Sequence, residues 1–121
     1  MKALDISVLN AFLDFIQNVH HFTENGWVHL ATDEIYKKGS KLFDEFRESY
    51  SGFTNGANMI ASNIETPPVV SDAIVLGVLR ERISEICYYL REISYGQSFL
   101  DSQVDEIEKL LWQQYYMACK K

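Results

Sequence analysis

The chain has 121 residues, 47% of them apolar, which suffices for one domain with one hydrophobic core, and a second domain is not expected. Its 17 Asp and Glu against 11 Lys and Arg give a net charge of −6, which argues against direct nucleic-acid binding and points to a basic partner, because phosphate contacts need clustered Lys and Arg. Met1-Lys2 is followed by Asp5 rather than by an unbroken apolar run, so neither a signal peptide nor a membrane span is expected, and the expected location is cytoplasmic.

In chain order, Ile6, Leu9, Leu13 and Ile16 recur at steps of three and four, with Phe12, Phe15 and Val19 widening the stripe. This spacing predicts a helix from about Asp5 to about Glu24, closed by Asn25-Gly26, residues that tolerate a left-handed backbone. Trp27 to Leu30 reads as a short connection. Thr32 is the expected N-cap of a second helix carrying Ile35, Leu42, Phe43, Phe46 and Tyr50, with Gly39 weakening it by about 1 kcal/mol relative to Ala.

Ser51 to Thr66 is rich in Gly, Asn and small polar residues, and reads as a long middle loop with one short helical turn around Ala57 to Ser62 that carries Met59 and Ile60 inward. Pro67-Pro68 then divides the chain, since proline cannot continue a helix. Beyond it Leu76, Leu79, Ile83, Ile86, Leu90 and Ile93 form a bundle-type seam on a helix from about Asp72 to about Tyr95, with Ser71 and Asp72 at the cap and Gly96 past the end. Asp101 or Ser102 is expected to cap a last helix with Val104, Ile107, Leu111 and Ala118 as its seam. Four amphipathic helices bury their stripes most simply against one another, so the expected fold is an all-α bundle over residues 1–121, with any β structure minor.

No residue pattern points to catalysis, a cofactor or a metal. His20 and His21 are adjacent and so point about 100° apart on a helix, which does not suit a shared metal ion with His29. Histidine at a helix C-terminus has a simpler role in complementing the macrodipole. Cys87 and Cys119 have neither disulfide nor metal spacing and read as reduced packing residues. The glycines make no phosphate-binding loop. In each of the pairs Tyr88-Tyr89 and Tyr115-Tyr116 at least one ring must lie at the core edge or on the surface.

Charge separates the helices. In the last one Asp101, Asp105, Glu106 and Glu108 precede Lys120 and Lys121, the arrangement a helix dipole favours. The second reverses it, with Lys37, Lys38 and Lys41 early and Asp44, Glu45 and Glu48 in its expected last turns. These three carboxylates, with Tyr50 and Phe53 as neighbouring aromatic anchors, are the candidate partner-binding residues.

In its acidic balance, and in segments such as Phe43-Asp44-Glu45-Phe46-Arg47-Glu48, the chain resembles bacterial toxin-immunity proteins of the contact-dependent growth inhibition or colicin type. The resemblance is one of overall character across the whole chain, so it transfers no individual residue role. It implies stoichiometric inhibition of a basic nuclease toxin domain, with acidic side chains standing in for nucleic-acid phosphates. The alternatives are a helical structural or regulatory module that self-associates, and an acidic nucleic-acid mimic.

Overall fold

The computed structural model describes residues 2–66 and 68–121; Met1 and Pro67, the first proline of the expected chain break, lie outside them. The fold is an all-α four-helix bundle made of α1 (Ile6–Phe22), α2 (Gly26–Thr54), α3 (Val75–Ser94) and α4 (Ser98–Ala118). Two short strands, β1 (Leu4–Asp5) and β2 (Met59–Ile60), pair in parallel, Leu4 opposite Met59 and Asp5 opposite Ile60. Among the described residues no helix is long and apolar enough to cross a membrane.

Helix α1 starts where its pattern predicts, because Asp5 Oδ1 accepts the Ser7 N–H at 3.0 Å and satisfies a first-turn donor. It buries Leu9, Phe12, Phe15, Ile16 and Val19. The turn that follows differs from expectation. Asn25 is extended (φ −81°) and caps the start of α2, its side-chain oxygen accepting from Trp27 and Val28 N–H at 2.9 and 3.2 Å. With that cap in place Trp27 to Leu30 is the first turn of α2 rather than a connection, and Val28, Ala31, Thr32 and Ile35 continue one buried stripe. Thr32 is therefore not an N-cap: it is buried mid-helix, its Oγ1 donating to the Val28 carbonyl at 2.7 Å.

The far end of α2 also moves. The helix continues past Tyr50 to Thr54 and stops where Asn55 and Gly56 take left-handed backbone (φ 54° and 72°), with Gly56 N–H returning to the Ser51 carbonyl at 2.8 Å. The expected turn at Ala57 to Ser62 is absent, and Met59–Ile60 pairs as a strand with β1. Met59 is half-buried, while Ile60 points outward and is exposed.

Seam residues Leu79, Ile83, Ile86, Leu90 and Ile93 of α3, and Val104, Ile107, Leu111 and Ala118 of α4, are buried as their spacing requires. Neither helix uses its expected cap. Helix α3 begins after Ile74 and α4 after Gln97, both without a side-chain cap, although Gly96 does close the first with a left-handed φ of 80°. Asp72 is engaged elsewhere, accepting from Thr23 Oγ1 at 2.6 Å and Glu24 N–H at 2.9 Å. Asp101 sits inside the first turn of α4, where it accepts from Ser94 Oγ at 2.5 Å and pairs with Arg91 at 3.4 Å. Ser102, the other expected cap, donates back to the Ser98 carbonyl at 3.1 Å.

The helices pack in the order α1, α2, α4, α3, with the seam between α1 and α3 the loosest. Phe53 beside Phe99 at one end, and Trp27 beside Lys120 at the other, make α2 and α4 antiparallel. Residues 55–66 and 68–74 form a strap between the end of α2 and the start of α3, alongside α1. They are tied to it at Ser62, which contacts Asp5 and Ser7, at Thr66, which reaches Asp14 at 3.3 Å, and at Asp72. Arg91 clamps α3 to α4 through Glu108 at 2.9 Å and through Asp105 and Asp101; the hydrogen bonds to Glu108, then to Asp105, hold its guanidinium protonated above its ordinary range.

Candidate partner-binding surface

Asp44, Glu45 and Glu48 all lie on the exposed side of α2. They are not in its last turns, because the helix runs on to Thr54, and the macrodipole acts only within the final turn. Their distinction is therefore not opposition to the dipole but a shortage of partners. Asp44 reaches Arg47 Nη2 at 3.7 Å, whereas Glu45 and Glu48 form no ion pair with any described residue.

Glu45 belongs to a feature that needs two helices. Lys41, Glu45, Ser49 and Phe53 stand four apart on α2, hence on one ridge, and antiparallel packing sets them along α4. At the upper end the Phe53 and Phe99 rings meet edge to face with centroids 5.4 Å apart, both about half exposed. Next, Gln103 Nε2 donates to Ser49 Oγ at 2.8 Å, leaving Gln103 Oε1 buried without a hydrogen-bond partner among the described residues. Glu45 and Glu106 then line an open groove, also unpaired, before Lys38, Lys41 and Lys109 take over its lower part. The surface thus runs from aromatic through acidic to basic along a single groove.

Of the expected site residues, Asp44, Glu45, Glu48 and Phe53 are exposed, and Tyr50 is not. Tyr50 is fully buried in the core, and its hydroxyl donates to the Lys2 carbonyl at 2.6 Å and accepts from Asn58 Nδ2 at 2.7 Å. It holds the amino-terminal strand and offers nothing to a partner. Phe99, Gln103 and Glu106 are the residues that sequence reasoning missed. Their absence from the α4 seam was visible, but their place beside α2 required the packing order.

The histidines pin a corner. His20 and His29 stack with centroids 4.0 Å apart, each Nδ1–H donating to the other residue's carbonyl at 3.0 Å, so the ring pair bolts the end of α1 to the start of α2. His20 Nε2 lies 3.9 Å from Asp33, whose carboxyl the Lys37 hydrogen bond holds below the usual carboxylate range. No group of three potential metal ligands is close enough to hold an ion among the described residues. Cys87 is buried, and desolvation pushes its thiol up to about 12, which leaves it inert. Cys119 is exposed, contrary to the expectation that both cysteines pack.

Tyr88 and Tyr116 are the surface members of their tyrosine pairs, and Tyr116 joins Trp27 in flanking the Lys120 ammonium at 5.9 and 5.3 Å. Fold and surface together define an all-α four-helix bundle with an open, charge-graded groove between α2 and α4. Comparison with protein-family models, with curated proteins and with solved structures found no match to this chain.

Proposed function

We propose that this chain is a cytoplasmic, non-enzymatic immunity protein that neutralises a basic nuclease toxin by binding it stoichiometrically and occluding its active-site cleft. The observation that carries the reading is the α2–α4 groove, where Glu45 and Glu106 have no ion-pair partner among the described residues and sit below the exposed Phe53–Phe99 pair. These carboxylates, unpaired in the stretch of the groove next to Lys38, Lys41 and Lys109, together with Glu48 on the same exposed side of α2, are available to pair with a basic surface and to orient its approach there. An exposed aromatic pair beside them provides the apolar contact that slows dissociation.

The test begins from a neighbouring gene encoding a large secreted protein with a basic C-terminal domain. That domain, expressed alone, should arrest growth, and co-expression of this chain should restore it. In vitro, nuclease activity should fall to background at one equivalent, with affinity weakening as salt rises. The competing reading is a module that self-associates, for which the exposed Trp27 and Tyr116 at the opposite end offer a surface. Light scattering separates the two: a stable homo-oligomer that no basic domain titrates would overturn the immunity reading. A partner that normally holds DNA would instead favour a nucleic-acid mimic.

A further inference from the structure

The loose seam between α1 and α3 encloses a cleft of about 200 Å³, remote from the α2–α4 groove. Its floor is apolar, made by Val8, Ala11, Phe12 and Phe15 of α1 and by Ile86 of α3. Ala11 is the reason for the space, because it stands between Val8 and Phe15 on the side of α1 that faces α3, where a longer side chain would fill the gap. Hydrogen bonds and an ion pair draw the two helices together near their ends. Tyr89 Oη accepts the Asp5 N–H at 2.8 Å and Lys2 pairs with Glu92 at 3.3 Å at one end, while Asp72 holds Thr23 at the other.

The rim carries charge. Arg82 lies with its guanidinium carbon 5.8 Å from the Phe15 ring centroid and is paired to Glu85 at 3.5 Å. Glu65 of the strap borders the opening and forms no ion pair with a described residue. The opening therefore holds two carboxylates against one guanidinium, which leaves one negative charge unanswered. Phe15 already attracts a cation to its face, as the negative side of an aromatic quadrupole does.

Size and charge together select a ligand. An apolar cavity of about 150 Å³ holds one benzene molecule, so the present volume takes one six-membered aromatic ring and a short chain. We propose that this cleft binds a small arylalkylammonium ion, its ring on Phe12 and Phe15 and its ammonium at Glu65, the rim carboxylate that Arg82 does not pair. The proposal is independent of the toxin-immunity reading, since neither the groove nor its acidic residues take part.

The test is an amide NMR titration of the full chain with phenethylammonium, and with phenylacetate as an anion of the same size. Phenethylammonium should produce saturable shifts at Ala11, Phe15, Ile64 and Ile86, and phenylacetate should bind at least tenfold more weakly. Glu65→Gln, on the exposed strap, should weaken phenethylammonium several-fold without disturbing the remaining spectrum. Ala11→Leu should abolish binding by filling the space. Absence of saturable shifts, as when Ile64 itself occupies the cleft in solution, would overturn the proposal. So would phenylacetate binding as tightly as the amine, or Glu65→Gln leaving affinity unchanged.

Discussion

Thr23 Oγ1 donates a 2.6 Å hydrogen bond to Asp72 Oδ1 across 49 residues of sequence, tying the end of α1 to the foot of α3. The bond from Thr23, followed by that from the Glu24 N–H, holds the Asp72 carboxyl below the usual carboxylate range. At the other end of the strap, burial raises the Asp5 carboxyl, but hydrogen bonds from Ser62 and Ser7 outweigh it and the net shift is downward. Both folded values are depressed, so each group stabilises the fold fully above the unfolded value and loses that contribution as pH falls through the lower folded one. Acid unfolding followed by circular dichroism should therefore steepen below about pH 4, near the ordinary carboxylate range. Asp72→Asn and Asp5→Asn should each flatten that limb, and identical acid limbs would show that the strap ties contribute nothing.

Gly39 lies buried in the middle of α2, where an added Cβ would sit 3.9 Å from Ile35, Leu13 and Leu110 side chains, an ordinary contact distance. Since Gly in a helix interior costs up to about 1 kcal/mol relative to Ala, Gly39→Ala should stabilise the protein by about 0.5–1 kcal/mol. The corresponding rise in melting temperature is roughly 3–5 °C for a domain of this size. A lower melting temperature would mean that α2 and α4 cannot accept the extra methyl group.

Tyr50→Phe removes one hydroxyl and keeps the ring. That hydroxyl makes two hydrogen bonds, and Asn58 Nδ2 still reaches the Lys2 carbonyl at 3.2 Å, so the cost should be about 1–3 kcal/mol, the net value of two hydrogen bonds. The loss should be local as well as global. Leu4 N–H, which donates to the Asn58 carbonyl at 3.0 Å, should exchange with solvent faster than in the parent protein, while α4 amides keep their relative protection.

The two cysteines should differ sharply in reactivity. Iodoacetamide at neutral pH should modify one thiol per native chain, at exposed Cys119, and a second only in denaturant. Burial raises the Cys87 thiol to about 12, so almost no thiolate is present to react. Rapid native labelling of both would show that the α3–α4 interface opens readily.

Lysine at Asp44, Glu45 and Glu48 should slow association with the basic partner by roughly tenfold or more at low salt and reduce its salt dependence. Phe53→Ala and Phe99→Ala should act mainly on dissociation. Stability should change little, because Glu45 and Glu48 have no ion pair to lose and the Asp44–Arg47 pair is exposed. An association rate unaltered by all three reversals would remove this face from the interface.

Helix seams were readable because burial imposes a period of three and four on the apolar residues, as Leu79 to Ile93 illustrates. Helix starts were read less well. Thr32, Asp72 and Asp101 all look like caps in sequence, but each polar side chain meets a stronger claim in space: a carbonyl of its own helix for Thr32, the Thr23 hydroxyl for Asp72, Ser94 and Arg91 for Asp101. Asn25, read as the end of one helix, supplied the cap of the next. The strap was legible as a long connection but not as a strand partner, since two residues of parallel pairing leave no periodic trace.

Composition and apolar spacing alone determined that this chain forms four amphipathic helices with an acidic exterior, because those properties depend on local period and on residue type. Tertiary structure decided which acidic residues lie together. Antiparallel packing of α2 on α4 brings Glu45 to Glu106 and Phe53 to Phe99, while the extension of α2 to Thr54 takes Asp44 and Glu48 out of reach of its C-terminal dipole. It also turned Tyr50 into the core, where its hydroxyl meets the Lys2 backbone. Neighbours along one helix follow from the sequence period, whereas neighbours across two helices depend on which faces pack and in what direction, and no single helix encodes that.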